Sequence, residues 1–206
     1  GLSAANIARW NETTQHWSAL GSGASNTVWD IDIDGNLVYV GGDFTSAGGV
    51  AASKVARWNR TSQQWSAIGT KALTIEGSVR AVYGVGSTVF VGGIFGAVSF
   101  SPTQTVPVNS VVYWDGVNGD WYKPGDGVQY TDQFGDGRGF VYDLLLVGSQ
   151  LYVAGDFDKA GGSAAVGIAR WNISTGQWSP LGSGLGGGLN AKGQALASDG
   201  GSVYVG

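Results

Sequence analysis

Apolar and polar residues alternate with a period of two in short runs along this chain, and the runs stop at Gly, Ser, Asn or Asp. The stretch 28–69 is the most regular: VWDIDIDGNLVYVGGDFTSAGGVAASKVARWNRTSQQWSAIG. Its runs 28–32, 37–41, 54–58 and 64–68 have strand length, and the breaks between them carry turn chemistry. Four strands in meander order, called A to D below, are predicted. Helices are not, because Gly recurs too often and no segment keeps an apolar spacing of 3.6 over a dozen residues.

The same pattern returns along the chain. Eight of the nine Trp residues form pairs seven apart: Trp10/Trp17, Trp58/Trp65, Trp114/Trp121 and Trp171/Trp178. Each first Trp ends an apolar run (NIARW, KVARW, SVVYW, GIARW) and is followed by Asn or Asp and a turn. Strand B recurs as VYVGGDF, VFVGGIF, LYVAGDF and VYVG. First Trps are spaced by 48, 56 and 57 residues, a period that signals a propeller or an array. Residues 1–21 supply a C–D hairpin and 192–206 an A–B hairpin. The units are therefore read as 192–206 with 1–22, then 23–70, 71–126 and 127–184, with one sheet shared between the two ends. Sharing a sheet in this way closes a ring and protects its edges. The expectation is a single all-β domain over 1–206, a β-propeller of about four four-stranded antiparallel blades.

Composition narrows the function. Hydrophobic residues make up 43% and charged residues 13%, so a core is available and the surface is weakly charged. The net charge is -4 with no basic cluster, which removes the electrostatic footprint of nucleic-acid binding. No apolar run reaches transmembrane length. There is no Cys, so disulfides, thiolate metal sites and Cys nucleophiles are excluded. The first residue is Gly, so a processed product or an excised segment is expected. The paired Trps are expected to be structural, one pair packing between neighbouring sheets.

The GG-x-F ending of strand B, followed by R-W-N-x-T-x-x-x-W-S-x-L-G, resembles the kelch-like and galactose-oxidase-type β-propeller repeats of secreted and cell-surface proteins. GGDFTSAGG and IARWN are similar to repeats in bacterial surface proteins and fungal cortical-marker glycoproteins. The resemblance covers essentially the whole chain. It implies an extracellular or cell-surface location and an architecture, and leaves the function open. Galactose oxidase itself uses a copper site with two His and a Tyr–Cys cross-link. With one His, His16, and no Cys, this chain cannot build it.

Few constellations remain. Asp30, Asp32 and Asp34 read D-x-D-x-D-G-N, like the start of a calcium loop, but the twelfth position is Gly41. Period two puts the three carboxylates on one strand face, where a calcium ion or solvent must relieve their repulsion. No other cofactor is expected. Trp29 is the unpaired ninth Trp, and Arg80, Tyr142 and Gln194 occupy its place in the other units. The third unit departs most from the repeat. Its B–C connection is rewritten over 96–110, and a long D–A connection follows over 123–140. Together they offer Phe100, Gln104, Tyr130, Asp132, Gln133, Phe134, Asp136 and Arg138, a mixture suited to a protein or sugar partner. Three sequons, at Asn11, Asn59 and Asn172, fall in equivalent C–D turns, where a glycan or plain turn chemistry accounts for them.

The reading is a non-catalytic extracellular or cell-surface propeller that binds a protein or glycan or builds a surface assembly, self-association into a larger ring included. The alternatives are a lectin-like module stacking sugar on Trp29, Tyr130 or Phe134, and a two-carboxylate glycosidase.

Overall fold

The computed structural model describes the chain except residues 1, 2, 70–72, 102, 103, 133, 134 and 187–190. The side chains of residues 100, 101, 104, 132, 135 and 136 also lie outside that description. All the regular structure described is β.

The chain opens with a hairpin of β1 (Ala8–Asn11) and β2 (His16–Ala19). The second unit contains β3 (Val28–Asp34), β4 (Leu37–Gly42), β5 (Ser46–Ala47), β6 (Val50–Ala51), β7 (Val55–Asn59) and β8 (Gln64–Ala67). The third contains β9 (Thr74–Val85), β10 (Thr88–Ser101), β11 (Gln104–Pro107), β12 (Val111–Asp115) and β13 (Asp120–Tyr122). The fourth begins with β14 (Val128–Asp132), β15 (Gly135–Arg138), β16 (Phe140–Val147) and β17 (Gln150–Asp156). It continues through β18 (Lys159–Ala160), β19 (Ser163–Ala164), β20 (Ile168–Asn172) and β21 (Gln177–Pro180). A final hairpin pairs β22 (Leu196–Ser198) with β23 (Val203–Val205).

Each complete unit is the expected antiparallel meander: β3-β4-β7-β8, β9-β10-β12-β13 and β16-β17-β20-β21. Strands B and C pair in one register throughout. Val38 faces Trp58, Val89 faces Trp114 and Leu151 faces Trp171. Trp65, Trp121 and Trp178 then lie opposite these first Trps on strand D. The C–D turns explain the sequon positions. Asn11, Asn59 and Asn172 each accept two backbone N–H bonds through Oδ1, and Asp115 does the same in the third unit.

The core lies between units. One apolar cluster joins Ile7 and Leu20 of the first hairpin to Val40, Phe44, Trp58 and Trp65. A second joins Tyr39, Val55 and Ile68 to Val79, Val91, Phe95 and Trp114. A third joins Phe90 and Val111 to Val141, Leu151, Phe157 and Trp171. The Trp residues of the three complete units reach back onto the preceding unit. The Trp65 Nε1 donates to the Leu20 carbonyl, and the Trp178 Nε1 to the Pro124 carbonyl, both at 2.7 Å. The Trp114 ring covers Gly69, where φ is +77° and a Cβ would sit 2.5 Å from the indole.

Three expectations change. The segment 96–110 is not an open loop, because β10 continues to Ser101 and pairs with β11. The segment 123–140 likewise carries the β14–β15 hairpin, and β14 also pairs with β18. The pairing expected between the two terminal hairpins is absent among the described residues, where β1–β2 and β22–β23 form separate two-stranded sheets. The first packs on the second unit through Leu20 and Ala24, and β22 lies beside β16. Trp10 and Trp17 are 39% and 58% exposed, unlike their buried counterparts Trp58 and Trp65.

Candidate functional site

The first strands of the units stand side by side: β3 neighbours β9, β9 neighbours β16, and β16 neighbours β22. A strand at the edge of a sheet has unpaired backbone N–H groups facing outwards. The Asp30–Asp34 row satisfies them. The Val82, Gly84 and Gly86 N–H groups donate to Asp30, Asp32 and Asp34 at 2.7, 2.7 and 2.6 Å. Asp143 repeats the device one junction on, accepting the Leu196 N–H at 2.6 Å. Desolvation pushes the Asp30 and Asp143 carboxyls above the ordinary aspartate range, against the N–H donors that favour the charge. The acidic row is thus engaged by the neighbouring backbone. Among the described residues no group of three or more His, Cys, Asp or Glu is placed to hold a metal ion.

Above this row each first strand carries a bulge. Pairing skips one residue between Val28 and Asp30, between Val79 and Ala81, and between Val141 and Asp143. In the last hairpin the Gln194 and Ala195 N–H groups share the Gly206 carbonyl, at 2.6 and 3.2 Å. The bulged residues are Trp29, Arg80, Tyr142 and Gln194. A bulge leaves its residue out of the ladder and re-aims the side chain, so one rim gathers four side chains of different chemistry. Only the unpaired Trp hinted at this in the sequence.

The residue after the Gly-Gly of strand B, or the Ala-Gly of the fourth unit, stands at each junction. In the second unit it is Asp43, which accepts the Trp29 indole N–H at 2.6 Å. The Arg80 guanidinium lies 3.9 Å from the centre of the Trp29 ring, a cation–π contact. Burial raises the Asp43 carboxyl, but the Trp29 donor, Ser78, Lys54 and Arg80 outweigh it and hold it below the ordinary range. Ser78 acts there by proximity, since its hydroxyl makes no well-aligned hydrogen bond. In the fourth unit the equivalent residue is Asp156, paired with Lys192 Nζ at 2.6 Å. That bond lifts the lysine above its ordinary value, and Tyr142 and Tyr130 lie near enough to add to the effect. Ile94 takes this place in the third unit. Ile94 makes the middle junction apolar there, whereas the two flanking ones bring a carboxylate and a cation together.

The expanded segments lie on the same side. Arg138 packs on Gly96, so the two are neighbours as expected. Tyr130 lines a cleft of about 120 Å³ with Thr131, Asp156, Phe157 and Asp158. Asp158 is tied down by the Thr131 N–H and hydroxyl at 3.0 and 3.1 Å. Tyr130 and Arg138 of the expected patch therefore border the rim. Gln133 and Phe134, and the side chains of Phe100, Gln104, Asp132 and Asp136, lie outside the described residues. His16 is exposed in the first hairpin and its Nδ1 contacts the Thr14 carbonyl.

No known protein family and no curated protein matches the chain. Among solved structures, it is similar to the extracellular domain of the one component system BT4673 from B. thetaiotaomicron. The TM-score is 0.59 at 14% identity, over 98% of this chain and 22% of that one. The computationally designed Ika8 protein aligns with a TM-score of 0.49 at 16% identity, over 97% of this chain and 61% of that one. The chain spans 22% of the length of the first of these, and the likeness to it is one of fold.

Proposed function

We propose that this chain is a non-catalytic interaction module, built as a kelch-like β-propeller or a segment of one, and exposed outside the cell or at its surface. One observation carries the reading: on a repeating scaffold, the residues that do not repeat gather at one rim. Packing explains the repeated Trp and Gly positions, but it does not ask for Trp, Arg, Tyr and Gln at four equivalent bulges. The extracellular neighbour in fold and the repeat resemblance favour the location. No helix among the described residues is long and apolar enough to cross a membrane.

The test is a protein array and a glycan array probed with the wild-type chain and with a rim variant, Trp29→Ala with Arg80→Ala and Tyr130→Ala. The expected result is a ligand held by the wild type and lost by a variant of unchanged circular dichroism. Absence of any rim-dependent ligand on both arrays overturns the reading.

Ring closure has its own test. In a ring closed with the register of the other units, Tyr204 would stand opposite Arg9, as Tyr39 faces Arg57 and Tyr152 faces Arg170. The chain contains no Cys, so Arg9→Cys with Tyr204→Cys introduces the only thiols. An intramolecular disulfide supports closure, an intermolecular one supports self-association into a larger ring, and no cross-link counts against both.

A further inference from the structure

The charges on the rim identify the class of ligand it fits. Charges of both signs stand together on it: Asp43 lies in the field of Lys54 and Arg80, and Asp156 is ion-paired with Lys192. The remaining bulged residues, Trp29, Tyr142 and Gln194, are uncharged. The rim therefore carries hydrogen-bond donors and acceptors of both signs close together. A strongly acidic or basic ligand would meet a like charge beside each opposite one, or would have to break the Asp156–Lys192 pair. A hydroxyl-rich ligand need not, because a hydroxyl donates to a carboxylate and accepts from a cation. Vicinal hydroxyls match neighbouring donor–acceptor pairs.

The aromatic groups point the same way. Trp29 is 48% exposed, although its indole N–H is bonded to Asp43 and Arg80 lies against its ring. It is therefore held rigidly while still presenting apolar surface. Tyr130 stands at the Asp156–Lys192 pair, over the cleft it shares with Asp156. Fixed aromatic surface beside paired polar groups suits a ring with one apolar face and equatorial hydroxyls.

We infer that the rim formed by Trp29, Asp43, Arg80, Tyr142, Asp156 and Lys192 binds a neutral saccharide, stacked on Trp29 and hydrogen-bonded by Asp43, Arg80, Asp156 and Lys192. This rests on the interaction reading above and deepens it by naming the ligand.

The experiment follows the Trp29 indole N–H resonance, assigned by its loss in Trp29→Phe, while cellotriose, mannotriose, galactotriose and sialyllactose are added. The expected result is a saturable shift with at least one neutral trisaccharide. Asp43→Asn is expected to weaken that binding about tenfold, roughly the worth of one charge-assisted hydrogen bond. Asp43→Asn keeps an acceptor for the indole N–H, so a variant that folds is expected, and its dispersion of amide resonances checks this. No shift with any neutral sugar overturns the inference, as does a response to sialyllactose alone. A rim-dependent protein ligand found without any saccharide response overturns the sugar assignment and leaves the interaction reading standing.

Discussion

The Asp32 carboxylate accepts the Gly84 backbone N–H of the next sheet at 2.7 Å, across 52 residues of chain. Flanked by the same bond at Asp30 and Asp34, it makes one strand's acidic face the partner of the next strand's open edge. Asp32→Ala leaves the Gly84 N–H without its acceptor and is expected to cost about 1–2 kcal/mol. Asp32→Asn keeps an acceptor and removes one of three like charges, so stability at or above wild type is expected. Chemical denaturation at neutral pH separates the two.

Trp65 and Trp17 occupy the same place in successive units but different surroundings. Trp65 is 7% exposed and bonded to the Leu20 carbonyl, whereas Trp17 is 58% exposed. Trp65→Ala is expected to destabilise by about 3–5 kcal/mol, and Trp17→Ala by less than about 1 kcal/mol. Equal losses in thermal or denaturant unfolding would contradict the packing described.

The C–D turns contain a natural experiment in backbone strain. Gln15 and Gln63 have φ of +53° and +55°, where Gly119 and Gly176 stand in the other units at +68°. A side chain in the left-handed region costs about 1 kcal/mol, partly offset by the greater freedom glycine has when unfolded. Gln63→Gly is expected to raise stability by about 0.5 kcal/mol, and Gly176→Gln to lower it. The pair of melting temperatures must move in opposite directions.

Acid titration should expose the buried carboxylates. Burial raises Asp143 above its ordinary value of 3.8. Between that value and the raised one, the folded state keeps a proton the unfolded state has lost, so its contribution to stability falls as pH rises. Asp143→Asn removes this loss and keeps an acceptor for the Leu196 N–H. Its stability relative to wild type is expected to increase as pH rises through the ordinary aspartate range and above it. A flat difference across that range would refute the desolvation. Asp115 behaves oppositely. Its bonds from the Val117 and Asn118 N–H groups and the Asn118 side chain lower its carboxyl, and that stability is lost as pH falls below the ordinary value.

Much of the strand order was legible before the structure. Alternation located strands A to D of the second unit within a residue or two: Lys54 falls just outside β7, and β3 runs on to Asp34. The Trp pairs fixed the hairpins because cross-strand packing of large rings repeats wherever the sheet repeats. The bulges were not legible. A bulged residue has no ladder partner to constrain it, so Trp29, Arg80, Tyr142 and Gln194 share no composition. The role of the acidic row was hidden for a related reason. Its partners are backbone N–H groups, which carry no sequence signal, and Val82, Gly84 and Gly86 look like ordinary strand residues. The extension of β10 past Phe95 was masked by its unlike sequence, since β pairing there depends on backbone more than on side-chain identity.

The bulges also bear on how such a chain can change. A substitution within a ladder disturbs a register, a packing face and often the neighbouring unit. A bulged residue stands outside the ladder register, so each unit holds one position whose identity can change while its strand pairing stays intact. Four such positions side by side form a surface that variation can rewrite one residue at a time, with the cost of folding already met elsewhere.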